Sequence, residues 1–258
     1  MILSLVNVKG GVGKTTTAVN LAATFGGEGG LRTLLVDLDP QGSASFSLGV
    51  SQDDAEPSSA TLLLEEAPVQ DVIRNTHLEG LDLITGSMGL AGADLALARK
   101  HEPHRRLARA LAPVRRRYDV ILIDCPPGLS VLTLNGLAAS QTFVVPVVPH
   151  DLDMEALNRC VAAIDDLKGA FARKPQLLGI LLTMVDQRTR VTHEVIFAIR
   201  RGYGRQVFRT EIPVNVRLSE APGYGMTIFD YQSWSTGAQA YRLLGGEILR
   251  RSRKEGLF

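Results

Sequence analysis

Eight residues near the start of the chain have the types and spacing of a phosphate-binding loop. They follow an apolar run from Ile2 to Val6, precede a helical pattern from Ala18 to Phe25, and read Lys9-Gly10-Gly11-Val12-Gly13-Lys14-Thr15-Thr16. Glycines let backbone N–H groups turn toward phosphate oxygens, and the helix that follows presents its positive N-terminal end to them. In such a loop the second lysine, Lys14, holds the terminal phosphates, and the hydroxyl of Thr15 binds Mg²⁺. The segment therefore predicts a nucleotide site.

Three aspartates at the ends of apolar runs could complete this site. Asp37 and Asp39 come after the run that begins at Thr33, and Asp124 follows the run Val120–Ile123. Because ligands collect outside the carboxyl ends of parallel strands, we expect these acids in one crevice with the loop. Oxygen ligands suit Mg²⁺, so Asp124 is predicted to hold the metal through water and Asp37 to organise its shell. Acids at strand ends also cap turns, which is the alternative role of Asp37.

The elements that must position these residues alternate along the chain. Helical patterns fall between most of the six strand-like runs, which are Ile2–Val6, Thr33–Val36, Leu81–Ile84, Val120–Ile123, Thr142–Val148 and Leu177–Met184. This alternation predicts an α/β fold with a doubly wound, mostly parallel sheet and helices on both faces, organised as a single P-loop domain over residues 1–258. The segment Ser43–Glu66 is expected to be a loop with one short helix near Thr61, and Leu90–Arg117 has a helical pattern.

Composition limits the classes of partner. Lysine and arginine total 28 against 27 acids, so any affinity for nucleic acid must come from a local cluster of charge. The two cysteines, Cys125 and Cys160, lack a metal-like spacing. Signal-like and bilayer-length apolar runs are absent from the sequence, and a cytoplasmic protein without a membrane span is therefore expected.

Four segments together resemble the ParA/MinD class of ATPases. The additional lysine at the start of the loop, Lys9, is typical of the deviant Walker A motif of that class. Val36–Gly42 resembles its switch I, and Val120–Pro127 resembles its Walker B strand and switch II. The segment Ile212–Pro222 is similar to one found in the ParA/Soj branch, whose members partition chromosomes and plasmids.

This resemblance implies a mechanism and a set of partners. It implies that ATP and Mg²⁺ are bound, that a homodimer forms in the ATP-bound state, and that Lys9 then reaches the nucleotide of the partner subunit. Lys9, Lys14 and Asp39 are the catalytic candidates, with Asp39 orienting the attacking water. It also implies slow hydrolysis that a ParB-like or other adaptor protein stimulates.

The residues that contact the nucleotide base are less distinct in the sequence. The chain has no Asn-Lys-x-Asp guanine signature, and the preference for adenine rests on the resemblance. In relatives, the positions of Met184, Asp186 and Pro213 flank the base. Met184 could equally be a core residue at the end of a buried strand.

An excess of arginine marks a possible nucleic-acid surface. Residues 188–217 contain two acids, Glu194 and Glu211, against Arg188, Arg190, Arg200, Arg201, Arg205, Arg209 and Arg217. Arg188 and Arg217 match positions that contact DNA in Soj-like proteins. The resemblance thus implies non-specific binding of double-stranded DNA and association with the nucleoid. The alternative is a set of separate solvated arginines.

Two departures from the family pattern leave other outputs open. Val214 stands where the family commonly has arginine, and the segment Pro149–Leu157, which includes His150, replaces one that borders the dimer interface. One alternative is a MinD-like ATPase that binds membranes through the basic tail at residues 245–258. Another is a ParA-like ATPase that positions a protein cargo. The sequence does not distinguish plasmid, chromosome and protein cargo, although membrane binding is disfavoured because the apolar face of the tail is short.

Overall fold

The computed structural model describes residues 1–149, 154–167 and 174–258. The described residues form one sheet of seven strands in the order β3-β4-β2-β5-β1-β6-β7. The strands are β1 (Ile2–Leu5), β2 (Thr33–Asp37), β3 (Arg74–Asn75), β4 (Leu81–Ile84), β5 (Val120–Asp124), β6 (Thr142–Val147) and β7 (Gln176–Leu182). All neighbouring pairs are parallel except β3 and β4. This is the α/β P-loop fold with a mostly parallel sheet that the sequence predicts.

Helices cover both faces of the sheet. The α-helices among the described residues are α1 (Lys14–Ala23), α2 (Ser43–Phe46), α3 (Ser59–Leu64), α4 (Val69–Val72), α5 (Ala93–Ala98), α6 (Arg106–Leu111), α7 (Val131–Ala139), α8 (Met154–Leu167), α9 (Arg190–Tyr203), α10 (Val216–Glu220), α11 (Ile228–Gln232) and α12 (Thr236–Lys254). None of them is both long and apolar enough to span a lipid bilayer.

The burial pattern explains this layering. Successive residues of a strand point to opposite faces, so a strand covered on both sides is apolar throughout. Val36 and Ile123 belong to one buried cluster, with side chains of α3 to α9. Leu35 and Leu122 belong to the other, with side chains of α1, α2 and α10 to α12.

Some elements differ from the sequence-based expectation. The helical pattern Leu90–Arg117 is not one helix, because Glu102 adopts a left-handed φ of 46° before Pro103 and separates α5 from α6. The segment Ser43–Glu66, expected to contain one helix, forms both α2 and α3. The short antiparallel strand β3 was not predicted. Residues 150–153, which include His150 and much of the altered segment Pro149–Leu157, lie outside the described residues.

Candidate nucleotide site

The phosphate loop connects β1 to α1 at the centre of the sheet. Gly11 and Gly13 have φ values of 72° and 81°, a region that side chains with a Cβ avoid. Helix α1 begins directly afterwards at Lys14. The glycines therefore give the loop the compact turn that a phosphate-binding backbone needs.

Lys14 is a buried ammonium group beside this loop. Its residue surface is 6% exposed, and its Nζ donates to the carbonyl of Lys9 at 3.2 Å. Burial lowers the pKa of Lys14, while the nearby Asp124 carboxylate raises it in part. A poorly solvated cation at this place favours an anionic ligand.

Asp37 and Asp124 lie on adjacent strands, directly paired in the parallel register of β2 and β5. Both are completely buried, and burial is the main cause that raises the pKa of each. For Asp37 the value is raised to about 6, because hydrogen bonds partly offset the effect of burial. For Asp124 the pKa rises well above its usual range, and the charge of Asp37 adds to this rise.

Their hydrogen bonding separates the two acids. Asp37 accepts the backbone N–H of Asp39 at 3.0 Å, the backbone N–H of Ser45 at 2.9 Å and the Ser45 hydroxyl at 2.8 Å. Neither carboxylate oxygen of Asp124 has a hydrogen-bond partner among the described residues. The Thr15 hydroxyl and, to a smaller extent, the Lys14 ammonium lower the pKa of Asp124 and so offset part of its rise. A buried carboxylate with free oxygens, next to a threonine hydroxyl, fits the oxygen ligands that Mg²⁺ prefers.

Asp39 lies at the entrance to this group of residues. Its side chain is half-buried, and its Oδ1 accepts the backbone N–H of Gln41 at 2.9 Å. Because its own N–H is bound by Asp37, the backbone of Asp39 is held by the buried carboxylate.

A cleft of about 600 Å³, a volume within the range of small-molecule sites, lies between the phosphate loop and Asp39. Asp37 and Asp124, which were expected in the same crevice, are fully buried and are not among the described residues that line it. Its lining includes Gly10, Gly11, Gly13, Lys14, Thr15, Thr16, Asp39, Gly42, Met184 and Pro222. The structure thus places most of the predicted phosphate-loop residues around one cleft. Asp39, a candidate catalytic acid, and Met184, a candidate contact of the nucleotide base, line the same cleft.

The sequence and the fold match known proteins. Residues 1–177 match the family model of the AAA domain. The chain is 40% identical to the chromosome partitioning protein ParA of Myxococcus xanthus, over 97% of this chain and 88% of that protein. It is 41% identical to the sporulation initiation inhibitor protein Soj of Bacillus subtilis, over 96% and 97%. The chain belongs to the ParA/Soj family of chromosome-partitioning ATPases. A solved structure named cobyrinic acid a,c-diamide synthase, from Mycobacterium smegmatis with bound ADP and magnesium, has a TM-score of 0.85 at 35% identity and covers 99% of this chain and 96% of that one.

The three residues of this ParA/Soj-family chain that are predicted to contact the nucleotide base lie in three different places. Met184 lines the nucleotide cleft and is strained, with a φ of 49°. Pro213 lines a separate groove of about 400 Å³. Asp186 is not among the described residues that line either space, and it binds Arg188. Their contacts with a base therefore remain predictions.

Sequence reasoning missed two residues that support the acids. The hydroxyl of Ser45, which donates to Asp37, also accepts the N–H of Gly86 at 2.9 Å. A Cβ at Gly86 would lie 2.7 Å from the Cγ of Asp37, so only glycine fits there without a shift. Neither Ser45 nor Gly86 belongs to a recognisable sequence motif. Each is recognised as part of the site only because it lies next to Asp37 in the folded structure.

The two arginines predicted to contact DNA are both at the surface of this family member. The Arg188 side chain is 86% exposed and the Arg217 side chain is 49% exposed. Each is paired with an acid, Arg188 with Asp186 and Arg217 with Glu220, at 2.7 Å in both cases. Lys9 is also exposed, and its backbone N–H donates to the side chain of Asn7.

Proposed function

We propose that this chain is a single-domain ATPase that forms an ATP-bound homodimer, binds double-stranded DNA without sequence preference, and hydrolyses ATP to segregate or position DNA. The observation that supports this proposal most directly is the cleft lined by Lys14, Thr15 and Asp39, together with the buried Asp124, whose pKa both Thr15 and Lys14 lower. The similarity to chromosome-partitioning proteins supports the cellular role.

In this proposal the residues of the cleft position the phosphates and a water. Lys14 and the backbone of the loop hold the β- and γ-phosphates of ATP. Thr15 and Asp124 hold Mg²⁺, which when bound neutralises phosphate charge. Asp39 orients the attacking water, and Asp37 acts through the Asp39 backbone N–H that it binds.

Lys9 supports the dimeric part of the proposal. Lys9 is exposed at the start of the loop, and its backbone carbonyl accepts a hydrogen bond from the Lys14 ammonium. An exposed cation at this position can stabilise charge on the phosphates of a second subunit, as an arginine finger does. Dimerisation is then favoured by ATP because the nucleotide binds the dimer better than the monomer.

The DNA-binding part relies on the exposed arginines and on the end of the chain. Arg188 and Arg217 offer cations for the phosphate backbone, and the dimer doubles their number. The membrane-binding alternative needs an apolar helix face that is available to lipid. In α12, however, Leu244 and Ile248 are fully buried in the apolar cluster that includes α1 and the strands. We therefore favour DNA in the nucleoid over the membrane as the matrix, with a ParB-like or other adaptor stimulating slow hydrolysis.

The test combines a trapped dimer with DNA retention. The Asp39→Ala variant should bind ATP and accumulate as a dimer by light scattering, because water is no longer oriented for attack. The Asp39→Ala/Arg217→Ala double variant should still dimerise with ATP yet retain less DNA, and Lys14→Ala should fail to form the dimer. A trapped variant that stays monomeric while binding ATP would contradict the sandwich mechanism. Equal DNA binding with ATP, with ADP and without nucleotide would contradict DNA binding as the switched output.

A further inference from the structure

The two candidate DNA-binding arginines share a feature that their exposure alone does not explain. Arg188 donates its Nε to Oδ1 of Asp186 at 2.8 Å and its Nη2 to Oδ2 at 2.7 Å, a bidentate pair. Arg217 donates its Nη1 to Oε2 of Glu220 at 2.7 Å. The guanidinium geometry that suits a phosphate is thus occupied in both cases by a carboxylate of the same chain.

Glu220 is also held in place by a second group. The hydroxyl of Tyr231 donates to the same Oε2 of Glu220 at 3.0 Å. The ring of Tyr231 stacks on Tyr224, with centroids 5.3 Å apart and an interplanar angle of 24°. A carboxylate fixed by a tyrosine is a better competitor than a freely rotating one, because less side-chain entropy is lost when it binds the arginine.

We propose that Asp186 and Glu220 are internal competitors of the DNA phosphates, which occupy Arg188 and Arg217 in the free protein and weaken its binding to DNA. This inference rests on the proposed function, since it concerns the same arginines. For DNA to bind, a phosphate must displace the carboxylate or share the guanidinium with it. The acids therefore set the affinity of the surface without contacting DNA themselves.

The size of the effect follows from the exposure of the pairs. Ion pairs between exposed side chains are weak, so removing one acid should raise the affinity for DNA only about two- to fivefold per pair. In a dimer each pair occurs twice, and the effect multiplies. Competition of this kind keeps binding weak enough to be reversible, as a protein that must leave DNA after hydrolysis requires.

The experiment is a double-mutant cycle on Glu220 and Arg217. Binding of a random-sequence duplex is measured with ATP at low ionic strength, for wild type, Glu220→Gln, Arg217→Ala and the double variant. Glu220→Gln should raise the affinity in the wild-type background, and the gain should disappear when Arg217 is absent. Glu194→Gln, which removes the same charge from the arginine-rich segment but belongs to neither pair, is the matched control.

A second variant protects the test against a purely structural effect. Tyr231→Phe keeps both charges and removes the hydroxyl that fixes Glu220, so it should raise the affinity by less than Glu220→Gln. ATP-dependent dimerisation of each variant serves as the check of folding. Asp186→Asn with Arg188→Ala repeats the cycle at the other pair.

The outcomes separate this inference from the proposed function. If the ATP-bound wild type binds no DNA, the proposed function is wrong and the competitor role is wrong with it. If the wild type binds DNA but Glu220→Gln has no effect, the inference alone is wrong. An equal gain from Glu220→Gln with and without Arg217, or from Glu194→Gln, would show a general effect of charge and would also overturn it.

Discussion

Asp37 and Asp124 are neighbours in the sheet and are equally buried, but they differ in the number of hydrogen bonds that they accept. Asp37 has three donors, from Ser45 and Asp39, whereas Asp124 has none among the described residues. A buried carboxylate without donors destabilises the empty protein, because burial removes its water and no hydrogen-bond donor replaces it. The protein tolerates this cost where a ligand is to be bound.

Asp124→Asn should therefore stabilise the nucleotide-free protein and abolish the stabilisation by ATP and Mg²⁺. Because the pKa of Asp124 is raised in the fold, the wild type loses stability as pH rises from the usual pKa of aspartate toward the folded value. The variant should lack the part of this loss that Asp124 contributes, while the part from Asp37 stays. A gain of about 1 kcal/mol corresponds to roughly 2–4 °C in melting temperature. Thermal unfolding with and without ATP and Mg²⁺, across pH, measures both effects.

Asp37→Asn is the matched control, with the opposite expectation. An amide cannot accept all three donors that Asp37 binds, so the nucleotide-free variant should be less stable than the wild type. A stabilised Asp37→Asn, or an Asp124→Asn variant that keeps the full shift with ATP and Mg²⁺, would contradict the division of roles between the two acids.

The sequence predicts which acids converge but not how they differ. Strand ends place Asp37 and Asp124 side by side, and the observed register confirms this convergence. The difference arises from Ser45, on a helix that the sequence reads as a loop, and from Gly86 beyond another strand. These contacts depend on the tertiary arrangement, which single-sequence patterns do not contain.

At the level of elements, the apolar runs gave reliable strands because burial on both faces leaves a continuous apolar signal. All six predicted strands are present, and their ends either coincide with the predicted ones or differ by one or two residues. Helices were less reliable. Alanine, leucine and arginine favour a helix throughout Leu90–Arg117, but the left-handed Glu102 breaks it. The family motifs do not cover this segment, and its path is decided by packing.

Helix α12 is fixed to the segment after α9 by one buried carboxylate. Glu247 accepts the backbone N–H groups of Arg209 and Thr210, both at 2.9 Å. It also accepts the Thr210 hydroxyl at 2.9 Å and the guanidinium of Arg251 at 2.8 Å. Burial raises the pKa of Glu247. The hydrogen bonds together lower this pKa by more than burial raises it, so the net shift is downward.

Glu247→Gln should destabilise the protein at neutral pH by about 2 kcal/mol, since a neutral amide replaces a charged acceptor of four donors. A lowered pKa in the fold means that this contribution is present above the usual pKa of glutamate and is lost as pH falls through the folded value. The difference between wild type and variant should therefore shrink at acidic pH. Urea unfolding at pH 7 and in the range below about pH 4 measures it. A constant difference at all pH values would contradict a charged Glu247.

At the scale of the whole molecule, charge is balanced and its distribution carries the argument. With 28 basic and 27 acidic residues, the chain has no net attraction for DNA that would hide the contribution of a few arginines. The family motifs made ATP chemistry recognisable from the sequence, and the arginine excess indicated a surface. The acids that pair with those arginines were not predicted, because an ion pair between exposed side chains has no periodic pattern.

Val214 provides the clearest test of the surface formed by Arg188 and Arg217. Val214 is 55% exposed. Its backbone N–H donates to the carbonyl of Val185, which directly precedes Asp186, so Val214 lies close to the Asp186–Arg188 pair. Val214→Arg adds a cation there without breaking a buried contact. With ATP, its affinity for DNA should rise, and the slope of log affinity against log salt should steepen by about 0.9 for each new phosphate contact.

Leu95→Arg is the matched control for the added charge. Leu95 is 68% exposed on α5, which packs against α3 and α7, whereas Val214 is hydrogen-bonded to Val185 just after the edge strand β7. If the arginine surface binds DNA, this variant should leave the slope unchanged, because its cation lies away from the duplex. Equal steepening by both substitutions would mean that DNA responds to total charge, and the contact surface would then have to be placed elsewhere on the molecule.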